Sequence, residues 1–374
     1  MSKKGLRHGM TAGIGIIAIG SMILLLWFAG EAAKGIRQGL SAACELLVPS
    51  LLPFMVLSSF LIRSGLSDYF GRCCGRMTRH WFRLPPETAG TILLSFIGGF
   101  PVGAKCVRLL YEQRKITAAQ AEQMMLFCVG AGPAFVITGI GTLLLHSPQA
   151  GVILFVSQIL SGILLGRIAG RLSGCRAKEI PHKSGTVSGD ISYINAFLAS
   201  CTDGTNALIQ MTVLVALFAM LSAVNEAVGL CEGIRILLQT CGVEYPFANH
   251  AYYILTEVTI ACQRIGEGGC PLWMLAFAIG LGGLCVHCQI LALLGDLPMS
   301  KAKYFLFRVM NASLSAGIVY IVCQFYQPTA VTAAVIGDVQ IEWGAATAVG
   351  SMALMAVSVL FVLSVKNAKR EVWR

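Results

Sequence analysis

Long apolar runs alternate with short polar clusters along the whole chain, and this alternation predicts a bundle of apolar helices. Ten apolar segments can be marked, at about residues 10–29, 46–62, 90–104, 124–145, 150–168, 207–224, 251–265, 271–294, 304–326 and 343–365. A helix needs about 20 apolar residues to cross a membrane, and most of these segments approach or reach that length. The pattern is typical of an all-α, polytopic membrane protein.

The third and eighth segments contain glycine clusters. The third contains Gly98, Gly99, Pro101 and Gly103, and the eighth has a glycine cluster at 280–283. Non-helical backbone survives at membrane depth only where it is buried in protein or lines a cavity. We therefore predict about eight transmembrane helices plus two re-entrant or broken hairpins, which are the third and eighth segments.

A polar linker divides the chain into two halves with five apolar segments each. We predict a first transmembrane repeat at 1–168, a linker with an amphipathic interfacial helix at 169–206, a second repeat at 207–365 and a basic cytoplasmic tail at 366–374. In both halves a Gly-rich element, at 95–105 and at 278–289, precedes a span. Internal repeats with interrupted segments at matching positions indicate a transporter site.

Composition narrows the class of protein. Apolar residues make up 56% of the chain, charged residues only 12%, and the mean hydropathy is +0.74. These values exclude a soluble enzyme and a disordered chain, and the net charge of +10 does not by itself indicate a nucleic-acid partner. No GxxxxGK[ST], GxSxG or HExxH motif occurs, so we expect no enzymatic activity.

The charged loops predict an orientation. The basic loops at 63–83, 105–115 and 167–183 and the tail all fall on the cytoplasmic side if the two hairpins are re-entrant and the other eight segments cross. The acidic loops at 225–250 and 328–342 then lie on the opposite side. This arrangement has four crossings per half and favours parallel repeats. Inverted repeats, which need an odd number of crossings, stay open.

The sharpest candidate site is the third segment. Gly98, Gly99, Pro101 and Gly103 allow an unwound turn whose exposed amides, beside a helix N-terminus, attract anions. Lys105 would add a positive charge to this substrate site. The alternative is a tight helix crossing with Lys105 extending to the membrane interface.

Two further features lie inside apolar segments. Gly132 and Pro133 break the fourth segment, which frees carbonyls for a substrate or an ion, and a simple proline kink is the alternative. Glu257 is the deepest acid of the second half, and a buried charge at this depth indicates coupling to a proton or cation. The alternative for Glu257 is an ion pair with Arg264 or Arg308.

The last candidates come from the eighth and ninth segments. His287 and Gln289 are predicted to line the substrate cavity, and Arg308 and Asn311, one turn apart, would share a face toward it. A zinc site needs about four well-spaced ligands, and the Cys and His residues around His287 lack a second pair nearby. We therefore predict no metal site and no cofactor.

Three motifs resemble one known family. Residues 95–105 resemble the Ser-Gly-Phe/Tyr-Pro-x-Gly-Ala-Lys signature of the sporulation integral membrane protein YlbJ, or stage V sporulation protein V, family. Residues 127–135 resemble its Phe-Cys/Thr-Asn-x-x-Gly/Asn-Pro-x-Phe motif, and residues 282–289 its Gly-Gly-Leu-x-x-His-x-Gln motif. The likeness covers most of residues 40–325.

The resemblance implies a nucleoside-recognition Gate domain similar to concentrative nucleoside transporters. It also implies passage of dipicolinate across the outer forespore membrane during sporulation. We therefore expect a multi-pass membrane transporter for a small organic anion, with a coupling cation or proton and lipids as partners and no nucleic acid. Asparagines of the family motif are replaced by Val129-Gly130-Ala131, which leaves fewer polar groups for the substrate.

Two alternatives to anion transport stay open. One is a nucleoside-type transporter, and the other is a gating or scaffold membrane subunit without transport of its own. Because nothing in the sequence fixes an oligomeric state, a homo-oligomer is compatible with each of them.

Overall fold

The computed structural model describes residues 15, 19–44, 48–172 and 193–326, and these residues are helical with no strand. The tenth segment, the basic tail and most of the linker lie outside them. The described α-helices are α1 (Ile19–Trp27), α2 (Ala29–Ala42), α3 (Val48–Arg63), α4 (Ser67–Phe82), α5 (Ala89–Gly98), α6 (Phe100–Glu112), α7 (Ala118–Met125), α8 (Pro148–Leu172), α9 (Tyr193–Ala227), α10 (Leu230–Thr240), α11 (Tyr245–Thr256), α12 (Val258–Glu267), α13 (Leu272–Leu281), α14 (Gly283–Leu294) and α15 (Lys301–Phe325). A short 3₁₀ turn (Pro86–Thr88) precedes α5, and a π-helix (Ala134–Leu144) precedes α8.

Four candidate membrane spans occur in the described part of the chain. They are α8, α9, the unit Leu272–Leu294 formed by α13 and α14, and α15. A fifth is present if α1 and α2, which are bent by 93° at their junction, form one span. The prediction of an all-α, polytopic membrane protein is confirmed, and the count of about eight crossings stays a prediction.

Helices α5 and α6 fold back on each other at Gly99 and form hairpin 1. Gly99 has φ +87° and ψ −176°, a conformation that residues with a side chain rarely adopt. A Cβ added at Gly103 would lie 2.9 Å from the Cβ of Ser95, although eight residues of continuous helix rise about 12 Å. The third segment is therefore a hairpin, as the glycine pattern predicts.

A second hairpin, hairpin 2, is formed by α11 and α12, and its tip is Glu257. The tip backbone is extended, with φ −148° and ψ 118°. His250 Nε2 in α11 lies 3.2 Å from the carbonyl oxygen of Arg264 in α12. The eighth segment was expected to hold this hairpin, but α13 and α14 continue through the break at Gly282 as one candidate span. The second hairpin therefore lies one segment earlier than predicted.

Both halves follow the same order of elements. The first half has hairpin 1, then two short helices, α7 and the apolar π-helix, which we call the first broken span although neither is long enough to cross alone, then the 25-residue helix α8. The second half has hairpin 2, then the broken span of α13 and α14, then the 25-residue helix α15. This order pairs Gly99 with Glu257, and the break at Gly132 with the break at Gly282.

Ion pairs near the ends of α9 show from which side each hairpin enters. Asp203 pairs with Arg63 at 2.5 Å, and Glu226 pairs with Arg264 of hairpin 2 at 2.6 Å. At about 1.5 Å per residue, the two acids lie roughly 35 Å apart along α9. Lys105 of hairpin 1 lies within electrostatic range of Asp203 and Arg63 at the first of these ends. Hairpin 1 therefore approaches the cavity from the Asp203 end of α9 and hairpin 2 from the Glu226 end, an arrangement that favours inverted repeats over parallel ones. The orientation of the repeats stays a prediction.

Candidate functional site

A cavity lies where the two hairpin tips meet the broken spans. It is small and partly open, and the space inside it that a water-sized molecule can occupy is about 40 Å³. Met211 and Val215 of α9 line it, and both lie between Asp203 and Glu226, so the cavity is about midway between the two ends of the bundle. The other lining residues are Leu51, Gly99, Phe100, Pro101, Gly132, Phe135, Glu257, Val258, Thr259, Val286 and Gln289.

Backbone packs directly on backbone where hairpin 1 meets the unwound segment 126–133. A Cβ added at Gly132 would lie 3.0 Å from the Gly99 nitrogen and 3.1 Å from the Ile97 carbonyl oxygen. The second half repeats this contact, because a Cβ at Gly283 would lie 3.2 Å from the Glu257 nitrogen. Each hairpin tip therefore rests on the break of the following span, and the glycines permit that approach.

Glu257 is the only ionisable side chain among the residues described as lining the cavity. It is 2% exposed, and its Oε2 accepts a hydrogen bond from the Ile260 amide at 2.7 Å, which caps the N-terminus of α12. Neither expected ion pair forms, because Arg264 binds Glu226 and Arg308 binds backbone carbonyls. A buried carboxylate without a basic partner favours a proton or a cation from the cavity.

Arg308 is fully buried but does not line the cavity. Its Nη2 donates to the Leu126 carbonyl at 2.8 Å, and its Nη1 donates to the Val129 carbonyl. Both carbonyls belong to the region where α7 ends and the chain unwinds, so the guanidinium satisfies acceptors that the helix leaves open. Arg308 was predicted to bind substrate, whereas its observed contacts are with the protein backbone.

Asn311, one turn further along α15, joins three helices. Its Nδ2 donates to the Gly280 carbonyl and to Gln158 Oε1, both at 3.2 Å, and its Oδ1 accepts from Ser161 at 2.7 Å. Gly280 precedes the break in the second broken span. This network holds α8, α13 and α15 together and leaves Asn311 away from the cavity lining.

His287 and Gln289 follow the second break, and only one of them reaches the cavity. Gln289 lines it and donates from Nε2 to Cys285 Sγ at 3.3 Å. His287 lies 3.0 Å from the Tyr304 hydroxyl, outside the lining. In the described part of the chain, no group of three or more His, Cys, Asp or Glu side chains is placed to hold a metal ion.

The remaining predicted residues surround the cavity without lining it. Lys105 is 8% exposed, and its Nζ has no hydrogen-bond partner among the described residues. A Cβ at Gly103 would lie 1.8 Å from the Cys128 carbonyl oxygen, so this glycine serves close packing. Gly98 packs against Val102 of α6. Pro133 precedes the π-helix. Their roles in substrate binding stay predictions.

One curated relative is similar over most of the chain. Sporulation integral membrane protein YlbJ of Bacillus subtilis (strain 168) is 21% identical over 313 residues, which covers 75% of this chain and 74% of that protein. This similarity supports assignment of the chain to the YlbJ family. No family model and no solved structure matches the chain. The YlbJ-like sequence and the apolar helices together indicate an integral membrane sporulation protein that passes the membrane several times.

Sequence reasoning missed several residues that line this cavity. Met211 and Val215 lie in an uninterrupted apolar segment, where no signal separates a lining residue from a packing residue. Phe100 could have been found, because it stands between the turn glycines and Pro101. Thr259 also had a signal, since it follows Glu257 by two residues within an otherwise apolar run.

Proposed function

We propose that this YlbJ-family protein transports a small organic solute and that the cavity between the hairpin tips is its substrate site. The observation that carries the proposal is the meeting of Gly99 and Glu257, the tips of oppositely directed hairpins, about midway along α9. Secondary transporters bind their substrates near the midplane between internal repeats, at broken helices. The two hairpins and the breaks at Gly132 and Gly282 support the proposal.

Dipicolinate is the proposed substrate, moved across the outer forespore membrane, because the family motifs at 95–105, 127–135 and 282–289 imply it. Dipicolinate is a flat dianion. No cationic side chain is among the described lining residues, so the donors would be the amides at the N-terminus of α6 and the Gln289 side chain. Glu257 would repel the anion unless a proton or cation neutralises it, which supports coupling at Glu257.

A nucleoside-type substrate is the second candidate, and one observation favours it. Glu257, Thr259 and Gln289 offer a carboxylate, a hydroxyl and an amide, which suit the hydroxyl groups of a neutral sugar better than a dianion. A gating or scaffold subunit is the remaining alternative and would show no transport.

Uptake into liposomes separates the three functions. The purified full-length protein is reconstituted, and the entry of labelled dipicolinate and labelled uridine is followed with and without an imposed proton or sodium gradient. Protein-free vesicles are the control. We expect saturable dipicolinate uptake that one of the gradients drives. Uridine uptake alone would favour the nucleoside-type transporter, and no uptake of either solute would favour the scaffold.

A further inference from the structure

The unwound segment 126–133 depends on a residue from the other half of the chain. Unwound carbonyls at membrane depth need donors, because lipid supplies none. Arg308 of α15 provides them to Leu126 and Val129, and this guanidinium is 1% exposed. Gly132, which touches Gly99 and lines the cavity, follows Val129 by three residues.

We propose that Arg308 is a positioning residue for the cavity, which keeps the segment 126–133 in the conformation that brings Gly132 against the tip of hairpin 1. The proposal rests on the proposed transport function. Arg308 would act on the substrate through backbone shape, since its Nη1 and Nη2 groups donate to carbonyls and the side chain does not line the cavity. Loss of Arg308 would leave the Leu126 and Val129 carbonyls without these hydrogen-bond donors, so that the segment carrying Gly132 would be held less firmly.

The chemistry of arginine suits this task. A guanidinium is planar and carries several donors in a fixed geometry, so one side chain can hold two carbonyls in a defined relation. A lysine ammonium keeps the charge but loses the fork geometry. Asn311 on the same helix holds the Gly280 carbonyl beside the second break. Helix α15 therefore fixes backbone at both broken spans.

A native cysteine reports on the segment independently of transport. Cys128 lies between the two held carbonyls and is 1% exposed, whereas Cys262 in α12 is 2% exposed and lies on hairpin 2. The full-length protein in liposomes is treated with N-ethylmaleimide, and alkylation of each cysteine is followed by mass spectrometry. The variants are Arg308→Lys and Arg308→Gln. Arg235→Gln, on the exposed helix α10, is the control for loss of an arginine.

We expect Arg308→Gln to raise the alkylation rate of Cys128 at least tenfold while Cys262 stays protected, and Arg308→Lys to give an intermediate rate. The apparent KM for dipicolinate should rise at least tenfold in Arg308→Gln with less than a threefold change in Vmax, because a loosened site binds less well. Arg235→Gln should match the native protein. Since labelling does not require transport, it tests the positioning role even if dipicolinate is not carried.

Three outcomes would overturn the proposal. Unchanged Cys128 labelling in Arg308→Gln would show that the segment holds its conformation without the guanidinium. If the alkylation rates of Cys128 and Cys262 rose equally in both variants, the whole protein would have loosened, and Arg308 would be a residue of overall stability. A fall in Vmax at unchanged KM would assign it to the transport step.

Discussion

Replacing Gly132 with alanine tests whether hairpin 1 must touch the unwound segment. The added methyl group would meet the Gly99 nitrogen at 3.0 Å, the Gly99 Cα at 3.1 Å and the Ile97 carbonyl oxygen at 3.1 Å. All three are backbone atoms, which cannot rotate away as a side chain would. Gly132 has no positive φ, so the backbone itself accepts alanine and the perturbation is purely one of space.

The size of the effect follows from this crowding. The hairpin tip must move by a few tenths of an ångström, and inserting a methyl group into a packed site typically costs about 1–3 kcal/mol. That energy corresponds to a change of roughly 5- to 150-fold in the population of the packed arrangement. If transport needs the tip seated on the break, uptake should fall by a factor in this range.

A matched control lies two residues earlier in the same segment. A Cβ at Gly130 would have no heavy atom within 4 Å, so Gly130→Ala adds the same methyl group in open space. The measurement is initial uptake in liposomes at equal protein content, beside the thermal unfolding of both variants in detergent. Equal uptake by Gly132→Ala and Gly130→Ala would refute the reasoning. Gly103→Ala would be a poorer test, because its methyl group would overlap the Cys128 carbonyl and disturb folding.

Three further predictions concern charged residues. Glu257→Gln should abolish the dependence of uptake on the driving proton or sodium gradient, whereas Glu267→Gln at the end of α12 should keep it; retained dependence in Glu257→Gln would exclude coupling there. Lys105→Gln should change the KM for dipicolinate by less than about twofold relative to the native protein, because Lys105 does not line the cavity. A tenfold rise in KM would show that Lys105 contributes to binding of the anion. Cysteines introduced at positions 79 and 244 in place of Arg79 and Glu244 should react with a membrane-impermeant label from opposite faces of the membrane. Reaction of both from the same face would contradict the topology.

The sequence predicts hairpin 1 because its cause is local. Gly98, Gly99 and Pro101 stand together in an apolar run, and such a cluster favours a break in the helix. The break near Gly132 is visible for the same reason. Five of the cavity-lining residues, Gly99, Pro101, Gly132, Glu257 and Gln289, are among those singled out from the sequence.

Hairpin 2 is less visible because its turn contains neither glycine nor proline. Its helix ends at Thr256, and the next helix begins with Glu257 as the capping residue, whose carboxylate accepts from the Ile260 amide. Such an acid inside an apolar segment has two interpretations, a functional charge or a helix cap. The structure shows the cap, and the coupling role of Glu257 stays a prediction. The glycines at 280–283 are a stronger local signal for a break in a helix, so the sequence placed the second hairpin in the eighth segment and not in the seventh.

Arg308 shows a different limit of sequence reasoning. Its partners, Leu126 and Val129, lie about 180 residues earlier, and their contribution is a backbone carbonyl, which every residue has. Residue types therefore carry no trace of this contact. A buried arginine in a span indicates a functional or paired charge, but the sequence alone does not identify which acceptor it meets.

The charge pattern and the inverted hairpins are compatible once the crossings are counted between the hairpins. Moving the second hairpin from the eighth to the seventh segment leaves every basic loop on its predicted side. It transfers only the short loop at 268–271, which has no basic residue, to the other face. If α7 and the π-helix together cross the membrane, the chain crosses three times between the two hairpins, through this pair, α8 and α9. Three crossings are an odd number, so hairpin 2 enters from the face opposite to hairpin 1. The sequence favoured parallel repeats because it placed the second hairpin in the eighth segment, which puts four crossings, the fourth to the seventh segments, between the two hairpins.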